Sequence, residues 1–371
     1  MLPKLVSIAS ARLIAQRLVG EPFAGAVAAV GRFGAVQAQD FGAAKWALGL
    51  RTDDDEAKLD DLLDRGAILR THVLRPTWHF VLPEDADWLL ELTSPRIRAG
   101  LVARHRDLEL DAATATRAYT AFASALCGGR HRNRAELAEV LVAEGISPAG
   151  QRLAHLLMGA ELDRLIISGP RRGKQPTYAL FEERVPRGAP IDRDEALTRL
   201  ACRYFESHGP AQLADFVWWS GLTVADARAG IAMAGDALPS ETVDGKRYWF
   251  GATGAGSEAG VAGVAGVAHF LPNFDEYLVA FRDRSAAVDP DLRFDSRTFA
   301  FGSLSLLSNV LTIGGRVRGA WRRTDKRDQT SLSLRLLGPV DRVEQASLDE
   351  AALRFSRFLS RPVAVVLADR A

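Results

Sequence analysis

Two glutamines one residue apart, Gln37 and Gln39 in Phe33-Gly-Ala-Val-Gln-Ala-Gln-Asp-Phe41, are the side chains most open to a chemical reading. In an extended segment residues i and i+2 point the same way. In a helix they would diverge by roughly 200°. Their neighbours Val36, Ala38, Ala43 and Ala44 are small and apolar, so both amides need hydrogen-bond partners. An amide does not titrate near neutral pH and cannot act as a general base. It can hold a water and turn oxygen dipoles toward a developing positive charge. On spacing alone, a helix cap or a satisfied polar pair in the core is the commoner use of such residues.

Three further groups could support chemistry or binding. His79 lies in the alternating run Thr77-Trp-His-Phe-Val81 and faces away from Trp78 and Phe80. It reads as a structural hydrogen-bonder, or as a contact to a phosphate or to a positioned water. Asp275 and Glu276 follow Leu271-Pro-Asn-Phe and suit a helix start, or a carboxylate that orients a glutamine or an arginine. The cations cluster: Arg164, Arg171, Arg172 and Lys174; Arg96, Arg98, Arg104 and Arg106; and Arg316, Arg318, Arg322, Arg323, Lys326 and Arg327 within twelve residues. A charge run is usually a solvated face, but two of these clusters fall on hairpin-like segments, where they read as nucleic-acid contacts.

Composition narrows the class. A net charge of +1 does not by itself announce a polyanionic partner, so distribution matters more than total. Hydrophobic content of 47% with 25% charged residues describes a globular protein, and 371 residues suffice for two to four domains. The longest apolar runs, such as 261–268, are too short to span a bilayer. The first residues lack the long apolar stretch of a secretory signal. Cys127 and Cys202 form neither metal spacing nor a disulfide framework, which favours the cytoplasm. With seven scattered histidines no metal site is expected, and no cofactor.

The elements that must position these residues follow one plan three times: short helices, a turn, a further helix, then a hairpin. In the clearest copy, Asn133-Arg-Ala-Glu136 starts a helix through Leu137, Val140 and Leu141, and Ser147-Pro148 opens another through Leu153, Leu156, Leu157, Leu162 and Leu165. Ile166–Ser168 and Thr177–Phe181 are the expected strands, with 169–176 as a basic tip. Another copy runs from the helix 200–207 through 212–216 and 224–233 to a hairpin at Thr242-Val-Asp-Gly-Lys-Arg-Tyr-Trp-Phe250, with Trp218 and Trp219 as expected core. The first copy ends in the hairpin-like stretch 68–81. Residues 251–268, rich in Gly, Ala and Val, read as a loop. Beyond them come a hairpin around Gly314-Gly315, a strand over 331–337, and a helix over 349–359 packing Leu353, Phe355 and Phe358. Helices followed by a hairpin with a basic tip make a winged helix. The expected class is therefore α+β, with three tandem winged helices and further C-terminal β elements. The expected units are 1–125, 126–190 and 191–371.

Four motifs in order carry a resemblance: Gln37-Ala-Gln39; Leu74-Arg-Pro-Thr-Trp-His-Phe-Val81; Leu271-Pro-Asn-Phe-Asp-Glu-Tyr-Leu278 with Arg282-Asp-Arg284; and Gly315-Arg-Val-Arg-Gly-Ala-Trp-Arg-Arg323. With them the chain resembles the AlkZ-type bacterial DNA glycosylases over nearly its whole length. The resemblance implies tandem winged helices in a C-shaped arrangement and hydrolysis of the N-glycosidic bond of alkylated purines, in some members of interstrand crosslinks. It puts Gln37 and Gln39 in the catalytic pair, on the branch with Gln and not an acid at the second position. His79 and Asp275 become supporting residues. Arg316, Arg318, Arg322, Arg323, Arg171, Arg172 and Lys174 become DNA-binding residues on a monomer whose partner is double-stranded DNA, with no membrane. A base alkylated at N7 or N3 is already cationic and leaves without an acid, so two amides could suffice. The absence of a lysine from the motif argues against a Schiff-base lyase. The competing class is a non-catalytic winged-helix DNA-binding regulator; a protein-interaction scaffold is a third, and would lack salt-dependent DNA affinity.

Overall fold

The computed structural model describes residues 7–251, 263–288 and 309–367. Most of the Gly/Ala-rich stretch therefore lies outside the described residues. The chain begins with α1 (Ile8–Ala15) and α2 (Ala26–Phe33). Gly34, at φ +78°, ends α2 in a conformation that favours glycine and turns the chain into the short strand β1 (Val36–Gln37). Asp40 then caps α3 (Phe41–Gly49), and Asp55 caps α4 (Glu56–Asp64). The hairpin of β2 (Leu69–Val73) and β3 (Thr77–Val81) completes a sheet of order β1-β3-β2, with Gln37 opposite His79.

A long helix, α5 (Pro83–Asp107), leads to the second unit: α6 (Ala112–Leu126), β4 (Arg132–Asn133), α7 (Arg134–Ala143), α8 (Arg152–Leu162), β5 (Ile166–Arg172) and β6 (Gln175–Leu180). Asn133 and Glu136 form a full capping box at the start of α7. The strands run further than the sequence suggests, so the tip shrinks to Gly173-Lys174. A register shift between Gly169 and Arg172 absorbs Pro170, which lacks an N–H, while its carbonyl accepts from Thr177 Oγ1 at 2.6 Å.

After the short α9 (Phe181–Arg184) come α10 (Arg193–His208), α11 (Leu213–Ser220), α12 (Val224–Ala234) and the hairpin β7 (Ser240–Val243) and β8 (Lys246–Trp249). Trp219 is fully buried, but Trp218 is 40% exposed, contrary to the expectation that both are core. Eight residues of α11 leave the adjacent tryptophan on its outer side.

The C-terminal part is a five-stranded sheet of order β13-β12-β11-β10-β9, built from β9 (Ala268–Leu271), β10 (Val310–Ile313), β11 (Arg316–Asp325), β12 (Thr330–Leu336) and β13 (Val363–Leu367). Between β9 and β10 lies the single-turn helix α13 (Glu276–Val279), and α14 (Arg342–Leu359) crosses between the parallel strands β12 and β13. Helix α14 starts seven residues earlier than expected, at a capping box of Asp341 and Glu344. Its inner face is Leu348, Ala351, Ala352, Phe355, Phe358 and Leu359; Leu353, expected inside, is 56% exposed, because the 3.6-residue period carries it outward.

This sheet does not stand apart. Its apolar face shares one core with α1 to α4. Trp46 lies 4.5 and 5.0 Å from the rings of Phe355 and Phe358, and its Nε1 donates to Phe270 O at 2.7 Å. A second core joins β2, β3 and α5 to α10, α11 and α12, and a third fills the α6–β6 unit. Segments far apart in sequence thus converge on β1. No helix among the described residues is long and apolar enough to cross a membrane.

Candidate active site

Strand β1, which carries Gln37, lies at a sheet edge with Gln39 in the bend just beyond it, and a buried carboxylate fixes the strand. The Gln37 backbone N–H donates to Glu276 Oε1 at 2.7 Å, and the Ala38 N–H donates to Trp78 O at 2.7 Å. Gln37 Oε1 accepts from the Gln39 N–H at 3.3 Å, and Gln39 Oε1 accepts weakly from the Trp78 N–H at 3.4 Å. Gln37 is only 5% exposed, whereas Gln39 lies open to solvent. One amide is therefore buried and the other exposed. Asp40, the next residue, is committed to the α3 cap through Ala43 N–H at 3.0 Å.

Glu276 is the hub beneath Gln37. Its other oxygen accepts from His208 Nε2 and Trp219 Nε1, both at 3.1 Å. Burial would raise this carboxyl, but the His208 bond and charge and the Gln37 N–H outweigh it and hold the group below its ordinary value. With three donors on an ionised group, it supplies negative charge behind the amides and has no proton to give. Asp275, its neighbour, does something different. It grips Arg51 with both oxygens, at 2.8 and 2.9 Å, and caps α13. That pair clamps the end of α3 to α13.

His79 is fully buried opposite Gln37. Burial, helped by the Arg75 charge, pushes its imidazole down to about 3, so it is neutral at physiological pH. Nδ1 lies 2.9 Å from Thr77 O, which makes Nδ1 the protonated nitrogen and leaves a lone pair on Nε2. That Nε2 is buried with no partner among the described residues. Beside Gln39, Arg70 donates to Ala38 O at 3.0 Å and lies 4.3 Å from the Trp78 ring centroid.

The arginines predicted to meet DNA fall into two states. Arg171 binds Asp64 through both Nε and Nη2 at 2.9 Å and Asp60 through Nη1 at 2.9 Å. Arg172 binds Glu136 at 2.6 Å, and Arg318 binds both Glu344 oxygens at 2.6 and 3.3 Å. Arg323 binds Asp325 at 2.8 Å. Lys174 and Arg316 are exposed and make no ion pair among the described residues, and Arg322 is exposed on β11. Sequence reading passed over Arg75 and Arg284 as individuals. Both lie inside motifs it singled out, but nothing in the spacing shows that they meet.

The structure matches that of the Streptomyces sahachiroi DNA glycosylase AlkZ with a TM-score of 0.76 at 22% identity, over 97% of this chain and 98% of that one. Residues 30–358 match the sequence model of the family described as DNA glycosylase AlkZ-like. The chain belongs to the AlkZ-like DNA glycosylase family. No curated protein matches it.

Proposed function

We propose that this DNA glycosylase is monofunctional and hydrolyses the N-glycosidic bond of purines made cationic by alkylation at N7 or N3. Interstrand crosslinks formed through such bases are a second substrate class. The observation that carries the reading is an amide pair with no available proton donor. Glu276 is ionised and saturated, Asp40 is tied to a helix cap, and His79 is neutral with a weakly basic lone pair. Such a site cannot protonate a leaving base, so the base must carry its own charge.

Gln37 and Gln39 would hold the attacking water, with the His79 Nε2 lone pair as a further acceptor. Their oxygens, with the Glu276 charge behind them, favour an oxocarbenium-like sugar. A stabilisation of ~3 kcal/mol is worth roughly a hundredfold in rate. Lys45, the lysine nearest in sequence, is held by Glu56 and Asp60 at 2.8 Å each, which supports hydrolysis without a Schiff base. The three helix-and-hairpin units are read as winged helices of a monomer, at 1–125, 126–190 and 191–371, with the first and third sharing cores. Asp275 supports the site at one remove by holding Arg51.

The test incubates the protein with duplex DNA containing N7-methylguanine and measures free base and strand integrity. Released base with an uncut abasic strand is expected. Binding without release across several alkyl lesions would instead make the chain a DNA-binding regulator.

A further inference from the structure

The turn joining β2 to β3 holds a feature that the amide chemistry does not use. Leu74 sits at φ +63°, an uncommon conformation for a leucine, and α11 ends against it at Gly221, itself at φ +69°. A Cβ on Gly221 would stand 2.4 Å from the Leu74 carbonyl oxygen, so the turn and the helix end are locked together. The lock presents Arg75 to Trp218, the half-exposed tryptophan of α11. The Arg75 guanidinium lies 5.5 Å from that ring centroid, and Arg284, arriving from the other side of α13, lies 5.7 Å from it.

Glu276 attracts Arg75 and Asp215 attracts Arg284 through space, but neither guanidinium is hydrogen-bonded to a carboxylate among the described residues. Arg75 Nε and Nη2 and Arg284 Nη2 are buried without a hydrogen-bond partner among the described residues. Arg284 uses Nε on Leu278 O at 2.8 Å. The acids that could have served them are committed elsewhere. Glu276 carries Gln37, His208 and Trp219. Asp215 takes the N–H groups of Arg282, Asp283 and Gln212 at 2.9 Å, and faces Arg12 at 3.7 Å. Asp283 takes Lys246, Gln212 and Ser285. Two desolvated guanidiniums on one ring, with donors bonded to no carboxylate, are unfavourable in the free protein. The natural complement is an anion whose oxygens accept several planar N–H donors at once.

We propose that Arg75 and Arg284 clamp one phosphodiester of the damaged strand, next to the nucleotide presented to Gln37 and Gln39. The inference rests on the glycosylase reading for the identity of that nucleotide. The placement follows from the turn itself: Arg75 is two residues from Thr77, whose carbonyl holds His79, and His79 is paired with Gln37 in the sheet. A phosphate fixed there sets the distance from the sugar to the amides, so both arginines are positioning residues. The clamp would be stabilised by pairing unbonded guanidinium donors with a bound anion, which adds about one unit to the salt dependence of binding.

The experiment is phosphate interference. Neutral methylphosphonates replace single phosphates around the lesion, and affinity is measured for the wild type and for the double variant Arg75→Gln/Arg284→Gln. The wild type should lose at least tenfold at one position. The variant should bind ordinary DNA at least tenfold more weakly, lose about one unit of log–log salt slope, and be indifferent at that same position. The double variant gives up the Arg284 Nε bond to Leu278 O, so the stability control is Arg75→Gln alone, which loses repulsion and no hydrogen bond and should melt no lower than the wild type. Should the double variant fail to fold, Arg75→Gln alone is read by the same map. An interference map identical in wild type and variant overturns the clamp, as does unchanged affinity. Base release enters nowhere in this assay. A wild type that shows the interference and releases no base would overturn the glycosylase reading and leave the clamp standing.

Discussion

The arginines of the two basic hairpins and those around Trp218 differ in what already surrounds them. On the β5–β6 and β10–β11 hairpins, Arg171, Arg172 and Arg318 look exposed in sequence yet each is bound to a carboxylate of its own chain. Around Trp218, Arg75 and Arg284 are half-buried and carry donors with no protein acceptor among the described residues. A cation already paired has spent part of its field, and a surface pair contributes little to stability, on the order of 0–1 kcal/mol. A desolvated cation with unbonded donors keeps more of its attraction for an anion. Local density of positive charge is thus a poor guide to where a phosphate will bind; the state of the partner acids is a better one.

The largest effect expected on this comparison is at Glu276, a buried acid with both oxygens satisfied. In Glu276→Gln, a group with a single acceptor oxygen would face the Gln37 N–H, His208 and Trp219, while its own NH2 would point at donors. Breaking such a buried cluster costs about 3–5 kcal/mol, measurable by denaturant titration, and excision should fall with it. A loss below about 1 kcal/mol would show that the carboxylate is not the hub of this region.

The amides come next. Gln37→Ala and Gln39→Ala should each slow single-turnover base release by about a hundredfold, near ~2.7 kcal/mol, while DNA affinity changes less than about threefold. Stability should hardly move for Gln39, which is exposed. Wild-type excision by both folded variants would make the pair structural.

A smaller effect concerns pH and tests whether His79 is buried and neutral. His79 binds a proton below about 6.5 when unfolded but only near about 3 when folded, so between those values the unfolded state holds more protons. Stability from this group is therefore full above about pH 6.5 and declines as pH falls toward 3. His269, lowered to about 4 by burial, adds to the same slope. The melting temperature should fall between pH 6 and pH 4, and His79→Gln should flatten part of that fall. An unchanged slope in the variant would place His79 in water.

Much of the architecture was legible because it depends on local pattern. The hairpins at Asp244-Gly245 and Gly314-Gly315 and the helices 134–143 and 224–234 follow from turn chemistry and periodicity. What was not legible depends on partners distant in sequence. Glutamines at 37 and 39 announce themselves by type, but the carboxylate holding the Gln37 backbone lies 239 residues away. Trp218 and Trp219 read alike in sequence; only the meeting of α11 with the Leu74 turn and with Arg284 separates a core residue from a half-exposed platform. Arg318 reads as free until α14 begins early enough to bring Glu344 to it.

The smallest effect is expected on the C-terminal hairpin, and it is the sharpest test of the contrast between paired and unpaired cations. Arg316 and Arg318 alternate along β11, and by spacing alone a double alanine variant would lose up to about two units of salt slope. The pairing changes that expectation. Arg318 is bound by Glu344 and by Pro339 O at 2.8 Å, so releasing it to a phosphate would strand a carboxylate. Arg316 is exposed and makes no ion pair among the described residues. Arg316→Ala alone should therefore account for nearly all of the change, no more than about one unit of slope, with excision at saturating protein close to wild type. Arg318→Ala should lower DNA affinity by less than about threefold, since its charge is largely compensated before DNA arrives. Equal losses from the two single variants would mean that DNA displaces Glu344, and that the ion pair seen on this hairpin is a latch and not a sink for its charge.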